Sequence, residues 1–270
     1  MNPGLTDVPE TMLWTLHNRA SEAARSDGVL RDPEALRIYQ AIDYDYELRF
    51  GPADPSHAIR SAMFDHAIRG FLAEHPSAVV VNLGEGLETQ RYRVTEPDTL
   101  WISVDLPEAI AARERFIPAD DQHHHVGLSF LDRAWFDEVP RDRPTFLTAQ
   151  GLFMYFDEAD IRSLMVDMAA RFPGGELMFD PLPRWLSRKT TSPKGWQKTP
   201  HYTTPPMPWG INRNEIEPTL RSWVPTLREV EVLSWWRFPR GFANRWVLPL
   251  MEKVPIINRH APCVVRLSFS

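Results

Sequence analysis

"VVVNLGEGLETQRYRV", running from Val79 to Val94, is the stretch on which the fold turns. It opens on a continuous, β-branched apolar run (78–83), as a strand covered on both faces requires. Gly84 and Gly86 follow, one residue apart. Glycines there let the chain turn sharply and bring its backbone close to a ligand. The same turn carries Glu85 and Glu88, which would repel a bound phosphate.

Outward from this turn, short apolar runs alternate with helical periodicity. Upstream, the spacing predicts helices over 9–27, from Glu34 to Ile42 and from Ser56 to Leu72. Downstream, strands are predicted in "LWISVDL" (100–106), "HHHVGLSF" (123–130), "PTFLTAQGLFMYF" (144–156), "GELMFDPL" (175–182), 229–235 and "PCVVRLSF" (262–269). Helices from Glu108 to Phe116, Ile161 to Phe172, 212–223 and 241–253 lie between them. This alternation predicts an α/β fold with a mostly parallel sheet and ligands at the carboxyl ends of the strands. From Pro181 to Trp209 neither period holds, and the Pro-, Trp- and Thr-rich segment reads as a lid or binding loop. One domain over 1–270 is expected: a helical cap (1–75), a cofactor-binding core (76–180), a lid (181–212) and the rest of the sheet (213–270).

Composition narrows the partners. A formal net charge of −6 is opposite to the basic excess of nucleic-acid and membrane-surface binders. Cys263 is the only cysteine, so no intrachain disulfide can form. No apolar run approaches the roughly 20 residues that span a bilayer, and the first residues show no basic-then-apolar leader. A cytoplasmic location with a small-molecule partner is expected. His123, His124 and His125 alternate across a strand and cannot converge on one metal, so they read as solvent-facing or edge residues and no metal site is expected.

Asp105 closes the second predicted strand about 20 residues past the turn, where a carboxylate can take both ribose hydroxyls. Thr89 stands where a dinucleotide fingerprint has its third glycine. Together with Glu85 and Glu88, it disfavours a pyrophosphate and the NAD-dependent oxidoreductase that would use one. S-adenosylmethionine fits better: it has a ribose and a sulfonium cation but no phosphate. A plain strand-to-helix turn remains the bland alternative.

"VVNLGEGLETQRYRV", "VDLPEAI", "SFLDRAWFDEV" and "LTAQGLFMYF", in this order and spacing, resemble the leucine carboxyl methyltransferase superfamily. The similarity is greatest to its bacterial, polyketide-type O-methyltransferases. The resemblance implies a Rossmann-like class I methyltransferase: a seven-stranded sheet with its last strand antiparallel, N-terminal helices and a lid. It places Gly84 and Gly86 at the methionine part of the cofactor and Asp105, with Leu106 beside it, at the ribose. Leu131 goes to the adenine ring and Asp132 to its amino group. Arg60 goes to the cofactor carboxylate, and Gln150 to its ammonium, where the family commonly has an acid. Read without the family, Asp132 is a helix cap, Arg60 a solvated charge and Gln150 a partner for backbone groups.

The family turn reads G-x-G-x-D-T-R with a small residue between the glycines, whereas here Glu85 stands between them, Glu88 replaces the aspartate and Gln90 the arginine. Glu85 therefore needs a partner, and Arg60 or the cofactor ammonium is the expected one, placing Glu85 in the cofactor site. Methyl transfer to oxygen requires alignment and exclusion of water. A carboxylate acceptor needs no base, whereas a phenol benefits from one. Tyr155, Tyr202 and His201 are the weak catalytic candidates. Trp196, Trp209 and Tyr202 either stack on a flat acceptor or anchor the loop. A degenerate methyltransferase acting as a binding protein is the other alternative.

Overall fold

The computed structural model describes residues 7–235, 240, 246–247, 250 and 253–270. Its main sheet has seven strands in the order β3-β2-β1-β4-β5-β9-β8. These are β1 (Val79–Leu83), β2 (Leu100–Asp105), β3 (His123–Gly127), β4 (Thr145–Ala149), β5 (Glu176–Phe179), β8 (Glu229–Ser234) and β9 (Cys263–Ser268). β1 pairs in parallel with β2, Val79 facing Leu100, and β2 with β3, Trp101 facing His123. β9 runs antiparallel to both β5 and β8. Every residue of β1 and of β4 is buried, which is why neither sequence alternates between apolar and charged residues.

The chain divides into two compact units. The first comprises Met1–Phe146 and Gln197–Thr204. Its helices are α1 (Asp7–Ala23), α2 (Pro33–Ala41), α3 (Tyr46–Phe50), α4 (Ser56–Glu74), α5 (Gln90–Arg93) and α6 (Pro107–Glu114). Asp32 caps α2 by accepting from Ala35 N, with Pro33 in its first turn. Asp45 caps α3 through Leu48 N. The helix expected directly after the glycine turn is only the four residues of α5. Its N-terminus is too short a stack of peptides for the dipole that phosphate sites use.

The second unit comprises Leu147–Trp196 and Pro205–Ser270, with α7 (Glu158–Arg171), α8 (Arg184–Thr190) and α9 (Ile216–Trp223). The segment 181–209, expected to be aperiodic, instead contains α8 and a hairpin of β6 (Gln197–Thr199) and β7 (Tyr202–Thr203). Both are too short to show a period in the sequence. The hairpin belongs to the first unit although the chain on either side of it belongs to the second. Most of the helix expected over 241–253 lies outside the described residues.

Candidate cofactor site

Gly84 and Gly86 both lie in the left-handed region, at φ +59° and +53°. Side chains are strained in that region. A Cβ on Gly86 would also sit 2.9 Å from Met12 Cβ of α1. Gly84 N still donates to Val104 O at 2.8 Å, so the chain leaves the sheet only after this residue.

The next amide turns toward Asp105. Gly86 N donates to Asp105 Oδ2 and Leu106 N to Oδ1, each at 2.8 Å. Each carboxylate oxygen thus keeps lone-pair capacity for one further donor, the arrangement a vicinal diol needs. Burial pushes the Asp105 carboxyl up to about 6, and Glu85 adds to the rise. The Gly86 and Leu106 amides and Arg113 oppose it.

Glu85 is not paired with Arg60. Its carboxylate accepts from Asn82 Nδ2 at 3.0 Å and from Ser103 Oγ, and lies 3.0 Å from Arg113 Nη2. Arg113, on α6, also donates through Nη1 to Gly86 O at 2.9 Å and Glu88 O at 2.7 Å. Burial raises the Glu85 carboxyl while Arg113, Ser103 and Asn82 hold it down. Arg113 was absent from the sequence reading. Its signal was an arginine among the buried Ala109, Ile110 and Ala112 of α6, a place where charge persists only when paired.

Glu88 joins a buried network that sequence reasoning also missed. Arg19 lies 2.9 Å from both Asp32 and Glu88, and Arg93 lies 2.6 Å from Asp32, 2.8 Å from Glu88 and 2.7 Å from Asp65. Thr89, at the third-glycine position, donates to Asp32 at 2.7 Å, so its side chain serves the network. Gln90, at the family's arginine position, donates to Asp65 at 3.0 Å. Burial works against the Glu88 charge, but Arg19, Arg93 and the Ser61 hydroxyl outweigh it and hold its pKa far below the usual carboxylate range. Ser61 Oγ reaches Glu88 at 2.7 Å from α4, next to the buried Arg60.

Leu131 is half-buried. Asp132 caps the 3-10 turn Arg133–Glu138 through Ala134 N at 2.9 Å, as its bland reading expected. Gln150 follows β4 in the second unit, and its Oε1 is buried with no hydrogen-bond partner among the described residues. Tyr155, also in that unit, packs against Met154, Leu182 and Met207. Tyr202 is buried in the first unit, with Trp14 and Phe50 at ring distances of 6.0 and 4.9 Å. His201 beside it is exposed. The three histidines lie on β3, the edge strand, as the edge reading expected, although His123 itself is buried. Ser103 has one proton and donates it to Glu85, so His123 Nε2, 2.8 Å away, is the donor to Ser103 Oγ.

The leucine carboxyl methyltransferase family profile matches residues 12–169. The tetracenomycin polyketide synthesis O-methyltransferase TcmP of Streptomyces glaucescens is 34% identical over 98% of both chains. The chain belongs to the leucine carboxyl methyltransferase family. It is an S-adenosylmethionine-dependent O-methyltransferase with a small-molecule acceptor. The S-adenosyl-L-methionine-dependent methyltransferase dpfgK of Gibberella zeae is 27% identical over 65% of this chain and 66% of its own. Among solved structures, a putative methyltransferase from Thermobifida fusca aligns with a TM-score of 0.59 at 15% identity, covering 98% of this chain and 95% of that one. The methyltransferase thus has the Rossmann-like class I fold. The oxidoreductase and binding-protein alternatives find no support.

Proposed function

We propose that Asp105 binds the ribose of S-adenosylmethionine and that the Gly84–Gly86 turn lies against its methionine part. The observation that carries this reading is the Asp105 carboxylate, anchored by one backbone amide on each oxygen. The left-handed glycines support it, because a side chain at Gly86 would be strained and would meet Met12. Leu106 is more than a third exposed beside Asp105, an apolar surface suited to the adenine ring, with Leu131 as its second contact. Asp132 takes the adenine amino group in addition to capping its turn, and Arg60 takes the cofactor carboxylate. Gln150 takes the ammonium, a role its unpartnered Oε1 suits. The Glu85 carboxylate is committed to Arg113, so Glu85 contributes its backbone alone.

The bound cofactor supplies an electrophilic methyl carbon on a sulfonium. The chain's part is to hold donor and acceptor in line and to keep water out. Among the catalytic candidates, Tyr155 packs against Met154, Leu182 and Met207, Tyr202 is enclosed by aromatic rings and His201 is exposed, so none is assigned as a base. This favours an acceptor oxygen that is already ionised at neutral pH, such as a carboxylate. The likeness to an enzyme named for tetracenomycin polyketide synthesis supports a polyketide-like acceptor. Cytoplasmic action is part of the same proposal, supported by the free thiol of Cys263, the only cysteine of the sequence.

The test is incubation with methyl-labelled S-adenosylmethionine and a panel of aromatic polyketide acids and phenols. A base-labile labelled product is expected, because a methyl ester hydrolyses. A base-stable product would assign the methyl group to a phenolic oxygen and overturn the carboxylate reading.

A further inference from the structure

Glu85 is a buried acid for which cofactor binding has no use, and its surroundings give it a role. Glu85 and Arg113 are only 2% and 1% exposed and lie 3.0 Å apart. The guanidinium simultaneously holds the Glu85 side chain and the carbonyls of Gly86 and Glu88. Asn82 and Ser103, from β1 and β2, hold the same carboxylate from the sheet. The peptide joining Glu85 to Gly86 is therefore fixed on both sides, and its N–H is the group that donates to Asp105 Oδ2.

We infer that Glu85 and Arg113 form a positioning pair for Asp105, aiming its carboxylate through the Gly86 amide and setting the charge around it. The inference rests on Asp105 being the ribose acceptor. The charged groups facing Asp105 are Arg113 from α6 and Glu85 from the turn, and they act on it in opposite senses. Arg113 itself faces Glu88 on the turn and Tyr92 on α5. It also faces His123 and His125 on β3, whose pKa values burial lowers, His123 to about 2. Loss of Glu85 and loss of Arg113 should therefore shift Asp105 in opposite directions, while the span of Arg113 over the turn is read by Arg113→Lys.

The test is calorimetric binding of S-adenosylhomocysteine from pH 5 to 8 by the full chain, with folding followed by circular dichroism. Wild type should lose affinity on the acid side as Asp105 protonates. In Glu85→Gln this acid limb should move to lower pH, and in Arg113→Met to higher pH. Arg113→Lys keeps the charge but cannot span the three oxygens. It should leave the limb in place, weaken binding about tenfold, as one lost charged hydrogen bond would, and raise KM for the cofactor without changing kcat. If Arg113→Met does not fold, Glu85→Gln and Arg113→Lys carry the test. Acid limbs unmoved in the folded Glu85→Gln and Arg113→Met proteins would overturn the positioning role. Asp105→Asn separates the two readings. Wild-type binding by Asp105→Asn sinks the ribose assignment. Loss of its binding and its limb, with unmoved limbs in the pair variants, sinks the pair alone.

Discussion

Gly86 N lies 2.8 Å from Asp105 Oδ2, so the glycine turn and the carboxyl end of β2 form one hydrogen-bonded unit. Preorganisation of this kind reduces the ordering left for binding. Replacement of Asp105 by Asn should weaken S-adenosylhomocysteine roughly 10- to 100-fold at pH 7.5, the range for losing a hydrogen bond to a charged group. Calorimetry reads this directly.

The raised pKa of Asp105 carries its own sign. A carboxyl pushed from 3.8 up to about 6 contributes stability to the unliganded fold that is full below 3.8 and lost as pH rises through about 6. Ligand hydroxyls favour the ionised form, so the thermal shift given by S-adenosylhomocysteine should be larger at pH 7.5 than at pH 5. An equal shift at the two pH values would contradict the assignment.

Gly86→Ala combines a left-handed φ with a 2.9 Å approach to Met12 Cβ. It should destabilise the protein by about 1–3 kcal/mol and abolish cofactor-induced stabilisation. Gly174→Ala is the control, since Gly174 has φ +74° with nothing within 4 Å of a built Cβ. It should cost about 1–2 kcal/mol and leave cofactor binding unchanged. Denaturant midpoints with and without S-adenosylhomocysteine distinguish the two effects.

The Arg19, Arg93, Asp32, Asp65 and Glu88 network predicts acid lability. Glu88 has a depressed pKa, so its contribution is full above the unfolded value of 4.5 and is lost progressively as pH falls from there toward its far lower folded pKa. Arg93→Met strands buried carboxylates and should cost about 3–5 kcal/mol at pH 7. That penalty should shrink on acidification, as urea titrations at pH 7 and 4 would reveal.

Arg49 ties the 197–204 hairpin into the first unit. It grips Glu10 at 2.8 and 2.9 Å, donates to the His201 carbonyl and lies 5.2 Å over the Tyr202 ring. Arg49→Ala should speed amide hydrogen exchange across Thr199–Thr203 while leaving β1 and β2 protected. Unchanged exchange in the hairpin would mean that Tyr202 packing alone holds it.

Much of this was legible in the sequence because it depends on local pattern. Buried parallel strands must be continuously apolar, so β1 and β2 could be read directly. A left-handed turn needs glycine, so Gly84 and Gly86 marked the place where the chain turns out of β1. A carboxylate at the end of β2 is placed by chain spacing alone, which gave Asp105. The two acids of the turn could be read as evidence against phosphate without knowing their partners.

What the sequence could not settle was where those acids discharge. Glu85 lies 28 residues from Arg113 along the chain, and Glu88 lies 69 from Arg19. Such pairs form only after α6 and α1 have packed against the turn. Local periodicity carries no record of an ion pair between distant elements, and a buried charge reveals its partner only in the folded state. Sequence alone therefore determined the strand-and-glycine framework and a cofactor without phosphate. Tertiary structure decided that the unusual acid Glu85 faces Arg113 behind the turn, because a buried carboxylate keeps its charge only with a cation beside it.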